Sequence, residues 1–449
     1  MTVHEVADAA LGNTSYVIDL GGGVAAVVDP RRDVDDYLAV AGRLGLRVVA
    51  SIETHLHADF VTGTLELSAA TSAEVVAPAA GEAAFEHRGM TDGDSVAWGD
   101  AEIRAIGTPG HTPEHLAYLM VRDGDPVGVF TGGSLIAGGA ARTDLISADL
   151  TEELAREQFR SLRRLATLPD HTVVWPTHGA GSFCSAGPAG GGATTVGAEL
   201  RGNPLFGLDD EDEFVRVLTG GYGSFPPYFL RLRDLNRRGP GLAADLDAPK
   251  PLSPAAVAEM VSDGAWLIDV RSLEEWARAH PRGAISNALR PAFASWLGWI
   301  VPFGSKVVLV ADEGQVAEAV MLARRIGYDA VVGWVDGGVE AWRAAGLPVD
   351  AVETVGPEGA RSRLDSGAML LDVRQRSEVA AARIPGSTHL ELGDLVAGKI
   401  PDGDDVVVYC GHGERSATGA SLLERRGVRV ANLAGGLPAW ESAGFPVER

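Results

Sequence analysis

Short apolar runs alternate with amphipathic stretches along the chain, and glycine, proline and polar turns separate them. Asn13–Asp19 and Val24–Pro30 carry the pattern of buried or half-buried strands. A helical stretch over about Val34–Leu44 leads to a strand, Val48–Ile52, which ends in Thr54-His55-Leu56-His57-Ala58-Asp59-Phe60. Further strand-like runs precede Gly107-Thr108-Pro109-Gly110-His111, Phe130-Thr131-Gly132-Gly133 and Trp175-Pro176-Thr177-His178-Gly179. Strands that feed polar loops are where α/β folds place functional groups.

Farther on, a unit of about one hundred residues occurs twice. Leu267-Ile268-Asp269-Val270-Arg271 matches Leu370-Leu371-Asp372-Val373-Arg374, and Val307–Val310 matches Val406–Tyr409. Gly337-Gly338 with Trp342 matches Gly435-Gly436 with Trp440. Each copy alternates short buried strands with amphipathic helices, which implies a parallel sheet covered on both faces. Linker punctuation at Gly239-Pro240-Gly241 and Pro249-Lys250-Pro251 separates these copies from the rest. The expected domains are residues 1–246, 251–350 and 354–449. The glycine-rich tract Gly187–Ala193 reads as a mobile loop.

Composition narrows the class. The apolar share of 46% and charged share of 22% are those of a globular chain, and a formal net charge of −23 disfavours nucleic acid and anionic membranes as partners. Two cysteines in 449 residues cannot build a disulfide framework, so a reducing cytoplasm is expected. No signal peptide and no membrane span is expected. The sequence leaves the oligomeric state open, with a homo-oligomer among the options.

Cys410 follows the strand-like run Val406–Tyr409 and opens Cys410-Gly411-His412-Gly413-Glu414-Arg415-Ser416, ahead of a helix expected over Ser416–Arg426. A cysteine in such a turn faces backbone N–H groups and the positive end of a helix, a setting that favours thiolate. Arg415 adds a fixed positive charge. In the first copy Ala311 stands at the cysteine position, with Asp312 and Glu313 after it and Val316 in place of the arginine, so that copy is expected to be non-catalytic. The second copy, with Ile384-Pro385-Gly386 and the Cys410 loop, resembles rhodanese-type sulfurtransferases. The resemblance implies that Cys410 carries sulfane sulfur as a persulfide, held by residues 411–416, with no cofactor in this domain.

Seven of the eleven histidines lie between His55 and His178, and His55, His57, His111 and His178 each follow a strand. Imidazoles drawn from several loops are common ligands of zinc and non-haem iron. The pattern His55-x-His57-x-Asp59 with Pro109-Gly110-His111 and Thr177-His178-Gly179 resembles the metallo-β-lactamase fold. Thr62-Gly63 and Arg142-Thr143-Asp144 bring it nearest to the persulfide dioxygenase branch, which is similar to glyoxalase II. The resemblance implies an αββα domain followed by two rhodanese-like α/β domains with parallel sheets. It further implies one Fe(II) per chain, with Zn as an alternative, and oxidation of a low-molecular-weight thiol persulfide such as that of glutathione. In this reading His55, His57 and His111 are metal ligands, with Asp59 and His178 as further candidates, and Arg142 binds substrate.

Two departures stand against that pattern. Phe60 occupies a position where the branch has histidine, and Gly133 stands where it has the carboxylate ligand. Either His57 swings in, or Asp59 or Asp144 supplies the carboxylate, or metal affinity is lost. An aspartate restored at 133 is expected to strengthen iron binding. Cys184 is expected to be a buried inert thiol, His115 and His171 loop or capping residues, and Asp209–Glu213 a solvated helix start. The leading expectation is a sulfurtransferase coupled to a persulfide dioxygenase. Its alternatives are a sulfurtransferase with a metal-free thiol-binding domain, a metal-dependent thioester hydrolase and a non-enzymatic sulfur sensor.

Overall fold

The computed structural model of the protein describes residues 2–187 and 190–449; the Gly187–Ala193 tract contains residues 188 and 189, which lie outside them. The chain divides into two compact units, one reaching Leu246 and the other starting at Asp247, with Arg324–Gly327 counted in the first. Among the described residues no helix is long and apolar enough to cross a membrane.

The first unit is an αββα sandwich. One six-stranded sheet runs in chain order from Val3–Asp8 to Arg88–Met90, and a second from Ser95–Trp98 to Thr194–Thr195. Alternation along each strand sorts side chains between two layers. Tyr16, Ile18 and Val28 of the first sheet meet Ile103, Tyr118 and Phe130 of the second between the sheets. Val17, Ala25 and Val27 turn outward onto the helix Asp35–Arg43 through Tyr37 and Ala41. On the other outer face, Val129 and Val174 pack under Ala155, Leu162 and Leu165 of the helix Thr151–Leu165 and Phe214 of Glu211–Gly220. Each buried Val, Leu, Ile or Phe side chain among them contributes about 1.5–3 kcal/mol of apolar transfer. Asp210 caps the latter helix by accepting from Glu213 N–H at 2.8 Å, so the acidic run is a solvated helix start.

The strand expected over Val24–Pro30 stops at Val28. Asp29 has φ 48, a left-handed turn that takes the chain out of the sheet and aims its carboxylate beneath the adjoining loops.

The second unit holds two five-stranded parallel sheets of identical order. The first is Lys250–Leu252, Val331–Val335, Val307–Val310, Trp266–Asp269 and Ile285–Ser286. Its counterpart is Glu353–Val355, Arg429–Leu433, Asp405–Tyr409, Met369–Asp372 and Thr388–His389. The repeated Asp-Val-Arg motif has one job in both: Arg271 folds back on Asp269, and Arg374 on Asp372, each at 2.9 Å. The helix after Cys410 spans Glu414–Glu424 and starts two residues before the expected Ser416. Gly413, with φ 120, makes the turn that lets it begin there.

Candidate functional site

Strand ends of both sheets in the first unit converge on one buried cluster. Arg47–Ile52 leads to Glu53, His55, His57 and Asp59, while Ala101–Gly107 precedes His111. Asp125–Gly132 delivers Gly133, and Val173–Pro176 delivers His178. His55, His57, His111 and His178 are all buried, with ring centroids 4.1 Å apart for His55–His57, 4.8 Å for His55–His111 and 5.2 Å for His111–His178.

Each ring is anchored by one nitrogen. Thr54 Oγ1 donates to Asp29 at 2.8 Å, so it accepts from His55 Nδ1–H, also at 2.8 Å. Asn13 gives its Nδ2–H to Asp59 at 2.8 Å, leaving Oδ1 to accept from His178 Nδ1–H at 3.0 Å. His111 Nδ1 lies 2.7 Å from the Arg142 carbonyl, and His57 Nε2 lies 3.2 Å from Asp29 and 3.3 Å from Glu53. What remains is an inward-facing set. His57 Nδ1 and His111 Nε2 have no partner, and Nε2 of His55 faces Nε2 of His178 at 3.3 Å.

Two imidazole lone pairs that face each other repel unless a cation lies between them. Tetrahedral zinc with Zn–N of about 2.0–2.1 Å sets its nitrogen ligands about 3.3 Å apart. The outer anchors are the carboxylate, amide and carbonyl partners that orient metal-bound histidines. The cluster therefore fits a metal ion. Donor atoms of His55, His57 and His178 lie within 4.8 Å of one another, as do those of His111, His178 and Cys184.

Charges follow burial. Desolvation first, then the neighbouring imidazoles, push His55 and His115 well below the ordinary histidine value and His111 to about 3, so these rings are neutral. Burial also opposes charge on His57, but Asp29 and Glu53 outweigh it and raise it to about 10. Burial would raise Asp29, yet the His57 charge and the bonds from His57, Thr177 and Thr54 hold it down. Desolvation, then the Asp59 charge, push the Cys184 thiol well up.

Several expected roles meet geometry that redirects them. Arg142 is buried, and all three of its guanidinium nitrogens are bonded inside the protein: to Asp144 at 2.6 and 2.7 Å, and to the carbonyls of Phe183 and Gly223. It braces loops, and it occupies Asp144. Phe60 stacks on His57 at 4.2 Å. His115 is no loop or capping residue: it is buried, stacked on His55 at 4.9 Å, and bonded to Thr108 and the Gly133 N–H. His171 stays outside the cluster in a turn.

In the second unit, Cys410 follows the strand Asp405–Tyr409 and is buried. The Gly413 N–H donates to Cys410 Sγ at 3.1 Å, and the Ser416 hydroxyl lies 3.5 Å away. His412 is exposed above them, and Gly411 and Glu414 are partly so. Arg415 is committed elsewhere, to Glu378 at 2.5 and 2.8 Å and over the Trp296 ring at 5.6 Å. Arg290, from the first repeat, is half-buried with no partner at Nε, and its charge acts on Cys410, Glu414 and Arg415. Burial pulls its pKa below the ordinary arginine value. In the first repeat, a cleft of about 570 Å³ is lined by Ala311, Asp312, Glu313 and Asp336 among others, with no nucleophile among them.

Arg290, Trp296, Asp29, Glu53 and Asn13 were not legible as site residues. His115 had a signal, four residues after His111, and Cys184 a weaker one, six after His178.

Comparison with known proteins agrees with this architecture. Residues 9–178 match the metallo-beta-lactamase superfamily, and residues 253–345 and 357–443 each match the rhodanese-like domain. A hydroxyacylglutathione hydrolase of Gloeobacter violaceus is 37% identical over 187 residues, 40% of this chain and 68% of its own. A probable metallo-hydrolase of Burkholderia pseudomallei is 31% identical, covering 49% of this chain and 85% of its own. The crystal structure of a metallo-beta-lactamase from Staphylococcus aureus superposes with a TM-score of 0.66 at 27% identity, over 75% of this chain and 98% of its own. The chain belongs to the metallo-beta-lactamase superfamily, with a glyoxalase II-like N-terminal domain fused to two rhodanese-like domains.

Proposed function

We propose that the protein is an enzyme of sulfane-sulfur metabolism in which Cys410 accepts and passes on sulfur while the histidine cluster acts on the sulfur of a small thiol such as glutathione. The observation that carries the first half is the Gly413 amide aimed at Cys410 Sγ at 3.1 Å, at the end of a parallel strand. The Cys410 thiolate attacks the outer sulfur of a donor. The donor's S–S bond breaks, its remainder leaves as thiolate or sulfite, and Cys410 holds a persulfide. Gly413 N–H stabilises the sulfur anion, and Arg290 meets the negative charge of the donor. Arg415 positions the loop through Glu378. An acceptor thiolate then takes the outer sulfur and restores the Cys410 thiolate. Residues 251–350 supply no cysteine and, apart from Arg290, serve as scaffold and wall.

For the N-terminal domain the reading is a persulfide dioxygenase: one O2 and one water convert the outer sulfur of a thiol persulfide to sulfite and release the thiol and two protons. His55, His57, His111 and His178 would hold the metal. A bound iron supplies the orientation of the persulfide and the activation of O2. The buried walls keep bulk water out, and Asp29, Thr54 and Asn13 keep the imidazoles in the ligating tautomer. A second reading, a metal-dependent thioester hydrolase, draws on the hydroxyacylglutathione hydrolase relatives.

The test is sulfur transfer from thiosulfate to cyanide and oxygen uptake on glutathione persulfide, measured on one preparation. Cys410→Ala abolishes the first; transfer at the unaltered rate ends the sulfurtransferase assignment. Thioester hydrolysis without oxygen uptake on the persulfide replaces the dioxygenase with the hydrolase.

A further inference from the structure

The metal reading above leaves a charge unbalanced, and this inference rests on that reading. Imidazole ligands bring no negative charge to a divalent cation, and a cation buried without an anionic ligand is costly. The resemblance to the persulfide dioxygenase branch puts the carboxylate ligand at Gly133, which has no side chain. Its place is also taken: a Cβ at 133 would lie 2.5 Å from Cδ2 of His111. Three of the nearby carboxylates have partners of their own. Asp144 is clamped by Arg142, and Asp29 and Glu53 lie at the outer nitrogen of His57. Asp59 accepts from Asn13 Nδ2–H through Oδ2 and stands 3.4 Å from the anchoring nitrogen of His178, while its buried Oδ1 has no hydrogen-bond partner and its carboxylate faces the Cys184 thiol.

Cys184 remains. It is completely buried, and its donor atom lies with those of His111 and His178 inside a mutual distance of 4.8 Å. An independent observation points to a ligand at the same spot: Nε2 of His111, buried and without a partner, while its Nδ1 is held by the Arg142 carbonyl. The carbonyl of Cys184 accepts from the Arg142 N–H at 2.8 Å, so the arm carrying the thiol is tied to the arm that orients His111. Asp59 belongs to none of the donor clusters found among the described residues.

We propose that Cys184 is a metal ligand and that, with His111 and His178, it forms a mixed nitrogen–sulfur site in which the thiolate replaces the missing carboxylate. The site takes a borderline-soft divalent ion, zinc or iron, in preference to a hard one such as magnesium or manganese. The thiol proton leaves to solvent as the metal–sulfur bond forms, with no change of oxidation state.

The chain has two cysteines, so one substitution isolates each thiol. Metal-free Cys410→Ser protein, which keeps Cys184 alone, is loaded with Co(II) and its near-ultraviolet spectrum recorded. A thiolate-to-cobalt charge-transfer band is expected, and it disappears in Cys184→Ser. The same Cys184→Ser change weakens zinc binding by more than about a hundredfold, beyond the loss usual for outer partners of ligands. Cobalt bound with only nitrogen and oxygen features in Cys410→Ser overturns the proposal and leaves the four-histidine reading standing. No cobalt bound at all overturns both. The deciding spectrum comes from protein that retains Cys184, so the outcome does not depend on the folding of Cys184→Ser.

Discussion

Gly133 and His111 share one space: a Cβ on the glycine would sit 2.5 Å from Cδ2 and 2.9 Å from Cγ of the imidazole. The ring occupies the volume that a side chain at 133 would need. Gly133→Asp is therefore expected to displace His111 and to weaken metal binding, the opposite of what its position in the sequence suggests. Overpacking of this kind costs about 1–3 kcal/mol. Metal content after chelation and reloading, with a thermal melt, checks both effects. Tighter binding by the aspartate variant would show that His111 turns aside freely.

Asp29 is the hub beneath the histidines. It accepts from Thr54 N–H at 2.7 Å, from Thr54 O–H at 2.8 Å and from Thr177 O–H, and it faces His57. Asp29→Asn removes the charge that orients His57 and disturbs the threonine that sets the His55 tautomer. Metal affinity is expected to fall about tenfold to a hundredfold, as read by competition with a chelator. Unchanged affinity would mean that the imidazoles hold their orientation without it.

Arg290 and Arg415 divide two tasks near Cys410. Arg290→Gln is expected to raise KM for an anionic donor such as thiosulfate about tenfold, roughly 1.4 kcal/mol, with kcat little changed. Arg415→Gln frees Glu378 and loosens the loop, so kcat falls instead. Steady-state kinetics on both variants separates the roles. A rise in KM seen only in Arg415→Gln would return donor binding to that residue.

His280 links the repeats: its Nε2 lies 2.9 Å from Glu424, and its Nδ1 2.8 Å from the Trp276 carbonyl. Burial opposes its charge, but the bonds to Glu424 and to that carbonyl outweigh it and raise its pKa. A raised folded pKa stabilises fully below the unfolded value of about 6.5 and is lost as pH climbs through the folded value. The urea midpoint of the second unit should therefore drop as pH rises past about 6.5, and His280→Gln should flatten that dependence. A midpoint already flat in the unaltered protein would show that the pair adds nothing to stability.

Periodicity and repetition were enough to lay out the architecture. The Asp-Val-Arg motifs, the glycine pairs with Trp342 and Trp440, and the loops at the ends of apolar runs are local patterns, and local patterns survive in one dimension. Likewise Cys410 and the four histidines stood out because their chemistry is rare in such turns. Distance in the chain concealed the rest. Cys184 reaches His111 across 73 residues and Arg290 acts on Cys410 across 120, and only the packing of sheets and repeats makes such pairs neighbours. Whether Arg415 or Arg142 is free to meet a ligand depends on which carboxylate each finds first, and a buried guanidinium takes the partner that the fold brings to it.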